Sequence, residues 1–351
     1  MKINIFIIKY LIDMSKKELG QFYTTNYETI LQYFDIPKHI THIIEPFAGN
    51  GDLLKFINVK GKYKIKLYDI KSTQLIITQR DTIKNPPTYK NKYVITNPPY
   101  LAKNKSKNKE LFTIYNTNDL YKCFLKTLIK DNPLGGILIL PINFLSSIRK
   151  SDIKLRAEFV KYFTINKVVV YEDKVFDDTS STVCTVQFEL KNKHNKFQII
   201  FVPSNKTINV RLRKKNNYII GGHIYKLPIN TTYKISRLLK GQRPNTYILA
   251  KCLDDNADNK ICLKMVAKNE IYYDETPNHS ARTYATIIIE PPISINKQKV
   301  IVSNVNKLLN EYREKYNSMF LTNYRENKDI SRKRISFDLI YKLIGHCLLN
   351  K

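Results

Sequence analysis

Residues 42–57 read HIIEPFAGNGDLLKFI. The stretch is a buried strand, a turn carrying Gly49 and Gly51, and a helix that starts near Asp52. A strand that ends in an acid, Glu45, and turns through small residues into a helix makes a site for a nucleoside. Glycine lets the backbone approach a ligand closely, and the acid disfavours phosphate. The spacing is not G-x-G-x-x-G and no Gly-Lys-Ser/Thr follows, so dinucleotide and triphosphate sites fit poorly. Alone, a glycine turn is equally a plain structural turn. Its surroundings decide.

Outward from it the same pattern repeats. YKIKLYDI (63–70) is a second strand ending in an acid, LIIT (75–78) a short third and KYVIT (92–96) a fourth. GGILILPI (135–142), KVVVYE (167–172) and TVCTVQFEL (182–190) are the fifth to seventh. Helices are expected over 25–35, where Thr25 and Glu28 have capping-box spacing, after Asp119, and from Ser151 to about Phe163. Alternating strands and helices imply an α/β fold, a mostly parallel sheet covered on both faces. Ligands of such sheets bind at the carboxyl ends of the strands, where Glu45, Asp69, Asp81 and Asn97 all fall. KNKHNK (191–196) is a polar break, followed by shorter strand-like runs and a closing helix over 337–348. Two domains are expected, 14–194 and 197–351.

The fourth strand runs into Asn97-Pro98-Pro99-Tyr100. Two prolines cannot continue a ladder, because neither has an N–H. They leave a stiff corner bearing an amide, fixed carbonyls and an aromatic ring. The Asn97 side-chain carbonyl and the Pro98 main-chain carbonyl are acceptors held at little entropic cost. Together they can hold both hydrogens of a planar NH2 group. When its nitrogen lone pair attacks a carbon electrophile, the nitrogen becomes tetrahedral and positive, and such acceptors stabilise that state most. Tyr100 offers a face for a planar base, roughly 1–3 kcal/mol by analogy with single-strand sites. Glu290-Pro291-Pro292-Ile293 imitates the corner without the amide or the ring and reads as an extended turn.

The chain of 351 residues carries a formal charge of +29, which favours a polyanionic partner, nucleic acid above all. More than half of the basic excess lies in the shorter segment after residue 194. Five scattered cysteines form no C-x-x-C pair, so reduced thiols are expected and no metal site. The opening MKINIFIIKYLIDM has a short apolar run broken by Lys9 and Asp13, unlike a signal peptide. No segment reaches the roughly 20 apolar residues of a membrane span. Met14 reads as a natural start, with residues 1–13 an extension of a cytoplasmic protein.

With both corners in place, the sequence resembles the gamma-class N6-adenine DNA methyltransferases of type II restriction–modification systems. The resemblance covers residues 17 to about 190 at motif level, and the remainder only by position and charge. It implies a Rossmann-like class I S-adenosylmethionine-dependent fold with a mixed seven-stranded sheet, followed by an α+β target-recognition domain. It implies S-adenosylmethionine as cofactor, no metal, and a monomer acting on double-stranded DNA. A cognate restriction endonuclease would act alongside it without a stable complex. In GQFYTT (20–25), Thr24 and Thr25 would contact the methionine end of the cofactor. Glu45, Pro46, Phe47, Ala48, Gly49 and Gly51 would form its loop. Asp69 would accept from the ribose hydroxyls, Ile70 would lie beside the adenine, and Asp81 would accept from the adenine amino group. Phe176 would sandwich the flipped base opposite Tyr100. Lys103, Lys105 and Lys107 follow the corner where a phosphate backbone would pass, and Arg211 and Arg213 belong to the basic domain.

Departures remain. Asp69 and Asp81 are too close in sequence for the helix and strand the family has between them. Thr24 and Thr25 also suit helix caps, and Phe176 also suits ordinary packing. A protein glutamine-amide methyltransferase, which also uses this corner, would carry a helical domain before the cofactor loop, yet fewer than 45 residues precede it here. Cytosine-N4 and RNA-adenine transfer stay open, as does a DNA-binding module with a decayed site.

Overall fold

The computed structural model describes residues 20, 24, 26–71, 74–173, 175–176, 182–191, 196–255, 259–275, 283–326 and 330–349. The expected extension 1–13 and Thr25 lie outside them. The chain divides into two compact units, residues 1–144 with 149–211, and 145–148 with 212–351.

The first unit holds one nine-stranded sheet. Its strands are β1 (His42–Glu45), β2 (Lys64–Asp69), β3 (Ile77–Gln79), β4 (Tyr93–Thr96), β5 (Gly135–Pro141), β6 (Phe163–Tyr171), β7 (Val183–Leu190), β8 (Lys196–Val202) and β9 (Thr207–Arg211). The order is β3-β2-β1-β4-β5-β7-β6-β8-β9. Strands β3 to β5 of that order run parallel, β7 is antiparallel to both β5 and β6, and β9 is antiparallel to β8. Every residue of β4 and β5 is buried, as a central parallel strand requires. Helices α1 (Tyr27–Leu31), α2 (Asp52–Lys60), α3 (Glu110–Ile114), α4 (Leu120–Asp131) and α5 (Lys150–Tyr162) complete the unit.

Four expectations change. The sheet has nine strands rather than seven, because β8 pairs parallel to β6 and carries β9 with it. Phe197, Ile199 and Phe201 alternate with outward residues and cover one face of the sheet edge, so residues 197–211 belong with the first unit. The third strand shrinks to Ile77–Gln79, and turns rather than a helix follow it. Arg149, not Ser151, is the N-cap of α5, and Asn26 that of α1; neither makes a side-chain cap bond.

The second unit is α+β. Strands β10 (Lys234–Arg237), β11 (Ile248–Lys251), β12 (Cys262–Met265) and β13 (Tyr284–Glu290) form an antiparallel sheet in the order β10-β13-β11-β12. Helix α6 (Ile295–Tyr316) packs on β12 and α7 (Phe337–Cys347) on β10. Ser294 and Ser336 cap them, accepting from the amides of Lys297 at 3.3 Å and Leu339 at 3.2 Å. A hairpin, β14 (Thr322–Glu326) and β15 (Ile330–Arg334), lies between the helices in sequence. The apolar faces of β11, β13, α6 and α7 share one core built on Ile248, Ile287, Val305 and Leu343. Among the described residues no helix is long and apolar enough to cross a membrane.

Candidate active site

Strand β1 pairs with β2 on one side and β4 on the other, both parallel. The chain moves outward to β2 from β1 but to β5 from β4, so the order reverses between them. A crevice opens at the carboxyl ends of strands at such a point. The loop 45–51 leaves from β1 and the NPPY corner from β4, side by side.

Glu45 is 1% exposed. Burial, and then the charges of Asp69 and Asp52, hold its carboxyl well above the ordinary carboxylate range. Its Oε2 has no hydrogen-bond partner among the described residues. A buried acid flanked by two acids is a site that a cation would complete. The loop beyond it turns at Gly49 and Gly51, with φ of +54° and +78°, values that favour glycine. Asp69 closes the loop: its Oδ2 accepts from the Gly49 amide at 2.8 Å and its Oδ1 from the Lys71 amide at 3.0 Å. A carboxylate oxygen can accept two hydrogen bonds, so both oxygens can also serve hydroxyls of a ligand.

Asp81 lies two residues beyond β3. Its Oδ1 accepts from the amides of Ile83 at 3.1 Å and Lys84 at 2.9 Å. The turn is pinned on three further sides. Thr82 Oγ1 donates to the Pro46 carbonyl at 2.9 Å, the Tyr115 hydroxyl to the Ile83 carbonyl at 2.7 Å, and Arg80 Nε to the Asn85 carbonyl at 2.7 Å. Side chains thus do the positioning that a helix and strand would have done.

At the corner, Asn97 is 8% exposed. Tyr100 Oη lies 2.6 Å from Asn97 Oδ1 and 2.6 Å from the carbonyl oxygen of Ile139 in β5. Asn97 Nδ2 lies 3.2 Å from Thr24 Oγ1. The Tyr100 amide donates to the Gly20 carbonyl at 2.9 Å. Gly20 has φ +67°, and a Cβ there would fall 2.8 Å from Tyr100 O. Glycine is therefore needed for the segment holding Thr24 to lie against the corner. Burial keeps the Tyr100 phenol well above its ordinary pKa, so it stays protonated.

These elements wall a cleft of about 400 Å³, the size of a small-molecule site. It brings together Phe47, Gly49, Asp69, Ile70, Asp81, Asn97 and Pro99 from the sequence expectations. Lys105 and Lys107, expected at a phosphate backbone, stand on its wall. Thr24, Glu45, Pro46, Ala48, Gly51, Pro98 and Tyr100 support this wall from behind and do not line it. Phe176, 5% exposed, packs in the apolar cluster with Tyr171 and Val183, which Tyr100 borders. Lys103 is partly buried, its amide donating to the Asn118 carbonyl at 2.9 Å. Arg211 and Arg213 are exposed, the first ending β9 and the second in the other unit. The sequence reading missed Arg80, Thr82, Ile83, Leu101, Leu111 and Leu120 as lining residues. Thr82 and Ile83 adjoin Asp81 and were within reach; Leu111 and Leu120 come from helix starts that carry no local signal. Among the described residues no cluster of three or more His, Cys, Asp or Glu is arranged to hold a metal ion.

The chain belongs to the N-6 DNA methylase family, whose sequence profile matches residues 61–271. That span includes Asp69, Asp81 and the NPPY corner and begins after the 45–51 loop. Several solved structures are similar. One assigned as a modification subunit of a type I restriction enzyme from Vibrio vulnificus YJ016 is 14% identical with a TM-score of 0.42, over 58% of this chain and 52% of that one. A type I restriction–modification methyltransferase subunit from Streptococcus thermophilus is 16% identical with a TM-score of 0.38, over 55% and 50%. The type IIG restriction endonuclease BpuSI is 16% identical with a TM-score of 0.41, over 67% and 36%. The chain thus spans about half the length of the first two and about a third of the last. No curated protein sequence matches the chain.

Proposed function

We propose that this protein is an S-adenosylmethionine-dependent DNA methyltransferase of the gamma class that modifies N6 of an adenine in a short duplex site. The observation that carries the reading is the shared cleft: Gly49, Asp69 and Asp81 on one side, Asn97 and Pro99 on the other, at the switch point between β1 and β4. Family membership supports the same reading.

The residues fit the cofactor. Glu45, buried with an oxygen unpartnered among the described residues, suits the cationic methionine end. Asp69 suits ribose hydroxyls, and Asp81 with Ile70 suits an adenine. When bound, S-adenosylmethionine supplies an activated methyl group on a sulfonium. The protein supplies geometry. A target adenine must leave the stack, at a cost of a few kcal/mol. Asn97 and Pro98 accept its two amino hydrogens, which leaves the nitrogen lone pair directed at the methyl group. Tyr100 supports one face of the base, and Phe176 would meet the other by leaving its present packing. The surplus proton departs to water after transfer, so no covalent intermediate on the protein and no metal is required. The second unit, basic and α+β, would read the site, with Arg211, Arg213 and the lysines 103, 105 and 107 along the phosphates. It would do so as a monomer, beside a cognate endonuclease.

Asn97→Ala tests the assignment. Methyl transfer to DNA should be lost while calorimetric binding of S-adenosylmethionine stays within about threefold, under 1 kcal/mol. A variant with near-parental turnover would remove Asn97 from the reaction.

A further inference from the structure

At the NPPY corner three side chains meet one main-chain carbonyl, and counting protons orders them. Tyr100 Oη lies 2.6 Å from both Ile139 O and Asn97 Oδ1. A phenol has one proton, and a carbonyl oxygen can only accept. At 2.6 Å, Ile139 O takes that proton. The Asn97 atom that faces Tyr100 must then be a donor. An amide exchanges its oxygen and nitrogen by a half-turn, with almost no change of shape. With Nδ2 toward Tyr100, Asn97 donates to the phenol and the phenol donates to Ile139. Oδ1 then occupies the position 3.2 Å from Thr24 Oγ1, whose hydroxyl donates to it. Each proton has its own acceptor. In the opposite orientation two oxygens compete for one proton.

We propose that this relay, from Asn97 Nδ2 through the Tyr100 hydroxyl to the Ile139 carbonyl, with Thr24 donating to Asn97 Oδ1, fixes the Asn97 amide so that its oxygen is the atom offered to a target amine. That the ligand is an amine rests on the function proposed above; the orientation of the amide does not. The anchor is firm, because Ile139 lies in β5 between β4 and β7 and pairs with Thr185. Donation from Nδ2 also polarises the amide, and hydrogen bonds in a chain strengthen one another by about 10–30%. Oδ1 keeps a second lone pair for the ligand. The Tyr100 hydroxyl is thus a positioning group, a role separate from that of the ring, and Thr24 is its counterpart on the other side of Asn97.

The test is side-chain amide hydrogen exchange on the full chain labelled with 15N-asparagine. The Asn97 signals are identified by their loss in Asn97→Asp. In Tyr100→Phe the Asn97 NH2 should exchange about tenfold faster or more, the loss of roughly 1.4 kcal/mol of protection. In Thr24→Val it should stay within about twofold, because Thr24 is the donor there. Faster exchange in Thr24→Val than in Tyr100→Phe, or equal acceleration in both, overturns the orientation. As a second readout, Tyr100→Phe should lower kcat for DNA methylation about tenfold while the Kd for S-adenosylmethionine is unchanged. An unchanged kcat overturns the role in turnover. A parent protein that transfers no methyl to DNA would overturn the proposed function instead, and the exchange pattern would still decide the amide.

Discussion

Glu45→Gln separates what a buried acid costs from what it does. Without ligand, Glu45 is 1% exposed, its Oε2 lacks a partner among the described residues, and Asp69 and Asp52 repel it. Glutamine keeps the volume and removes the charge. A buried group left unsatisfied costs about 1–3 kcal/mol, more when charged, and the neutral amide avoids the charged part. The ligand-free variant should therefore melt higher than the parent at pH 7.5. The sign follows from linkage. The folded-state pKa of Glu45 is raised, so the folded state holds its proton more tightly than the unfolded chain, and stability falls as pH climbs from 4.5 towards the folded value. The two proteins should converge near pH 4 and diverge as pH rises. With S-adenosylmethionine the order reverses. Removing one partner of a buried charge pair costs about 2–5 kcal/mol, so the Kd should weaken by roughly 30-fold or more. Thermal melts between pH 4 and 8 and calorimetric titration read both effects. A variant that melts lower at pH 7.5 and binds the cofactor as the parent does would refute the reasoning on both counts.

Other substitutions probe the supports. Gly20→Ala puts a Cβ 2.8 Å from Tyr100 O at φ +67°; left-handed strain of about 1–2 kcal/mol and displacement of the corner should cut turnover about 100-fold in a steady-state assay. Phe176→Ala removes a ring from the core with Tyr171 and Val183 and should cost about 3–5 kcal/mol in a urea titration; its proposed second role predicts a weaker 2-aminopurine signal from a flipped base as well. Asp119, at the N-terminus of α4, is pushed up to about 6 by burial, which outweighs the pull of Lys122 and the amides of Tyr121 and Leu101. Its stability contribution is lost as pH rises from 3.8 to about 6. Asp119→Asn should therefore melt like the parent at pH 4 and be more stable at pH 7.5, by on the order of 2 kcal/mol.

Much of the first unit was legible because its signals are local. Ile43-Ile44 before Glu45, the all-apolar β5 and the paired prolines each fix one element through neighbours in sequence. β8 and β9 were missed as part of the sheet because the polar segment 191–196 reads as a boundary, while the pairing that joins β8 to β6 spans the sheet rather than the sequence. Asp81 was readable as an acid near a strand end. What holds it was not, since Thr82 reaches Pro46 and Tyr115 reaches Ile83 across 36 and 32 residues. Thr24 was marked for the cofactor, yet its visible partner is Asn97, 73 residues away, brought close because Gly20 abuts Tyr100. The lysines 105 and 107 were read as phosphate contacts from charge alone. Their place on the cleft wall depends on how 101–103 bridges to 118–120, through Leu120 N to Leu101 O at 3.1 Å and Lys103 N to Asn118 O at 2.9 Å.

The central claim is the identity of the methylated atom. Duplex DNA of mixed sequence is incubated with the full chain and S-adenosylmethionine carrying a deuterated methyl group, digested to nucleosides and analysed by mass spectrometry. The account predicts label in N6-methyldeoxyadenosine alone, absent with Asn97→Ala. Label on cytosine N4, on a protein glutamine amide in a parallel reaction with whole-cell protein, or no label in DNA would contradict it.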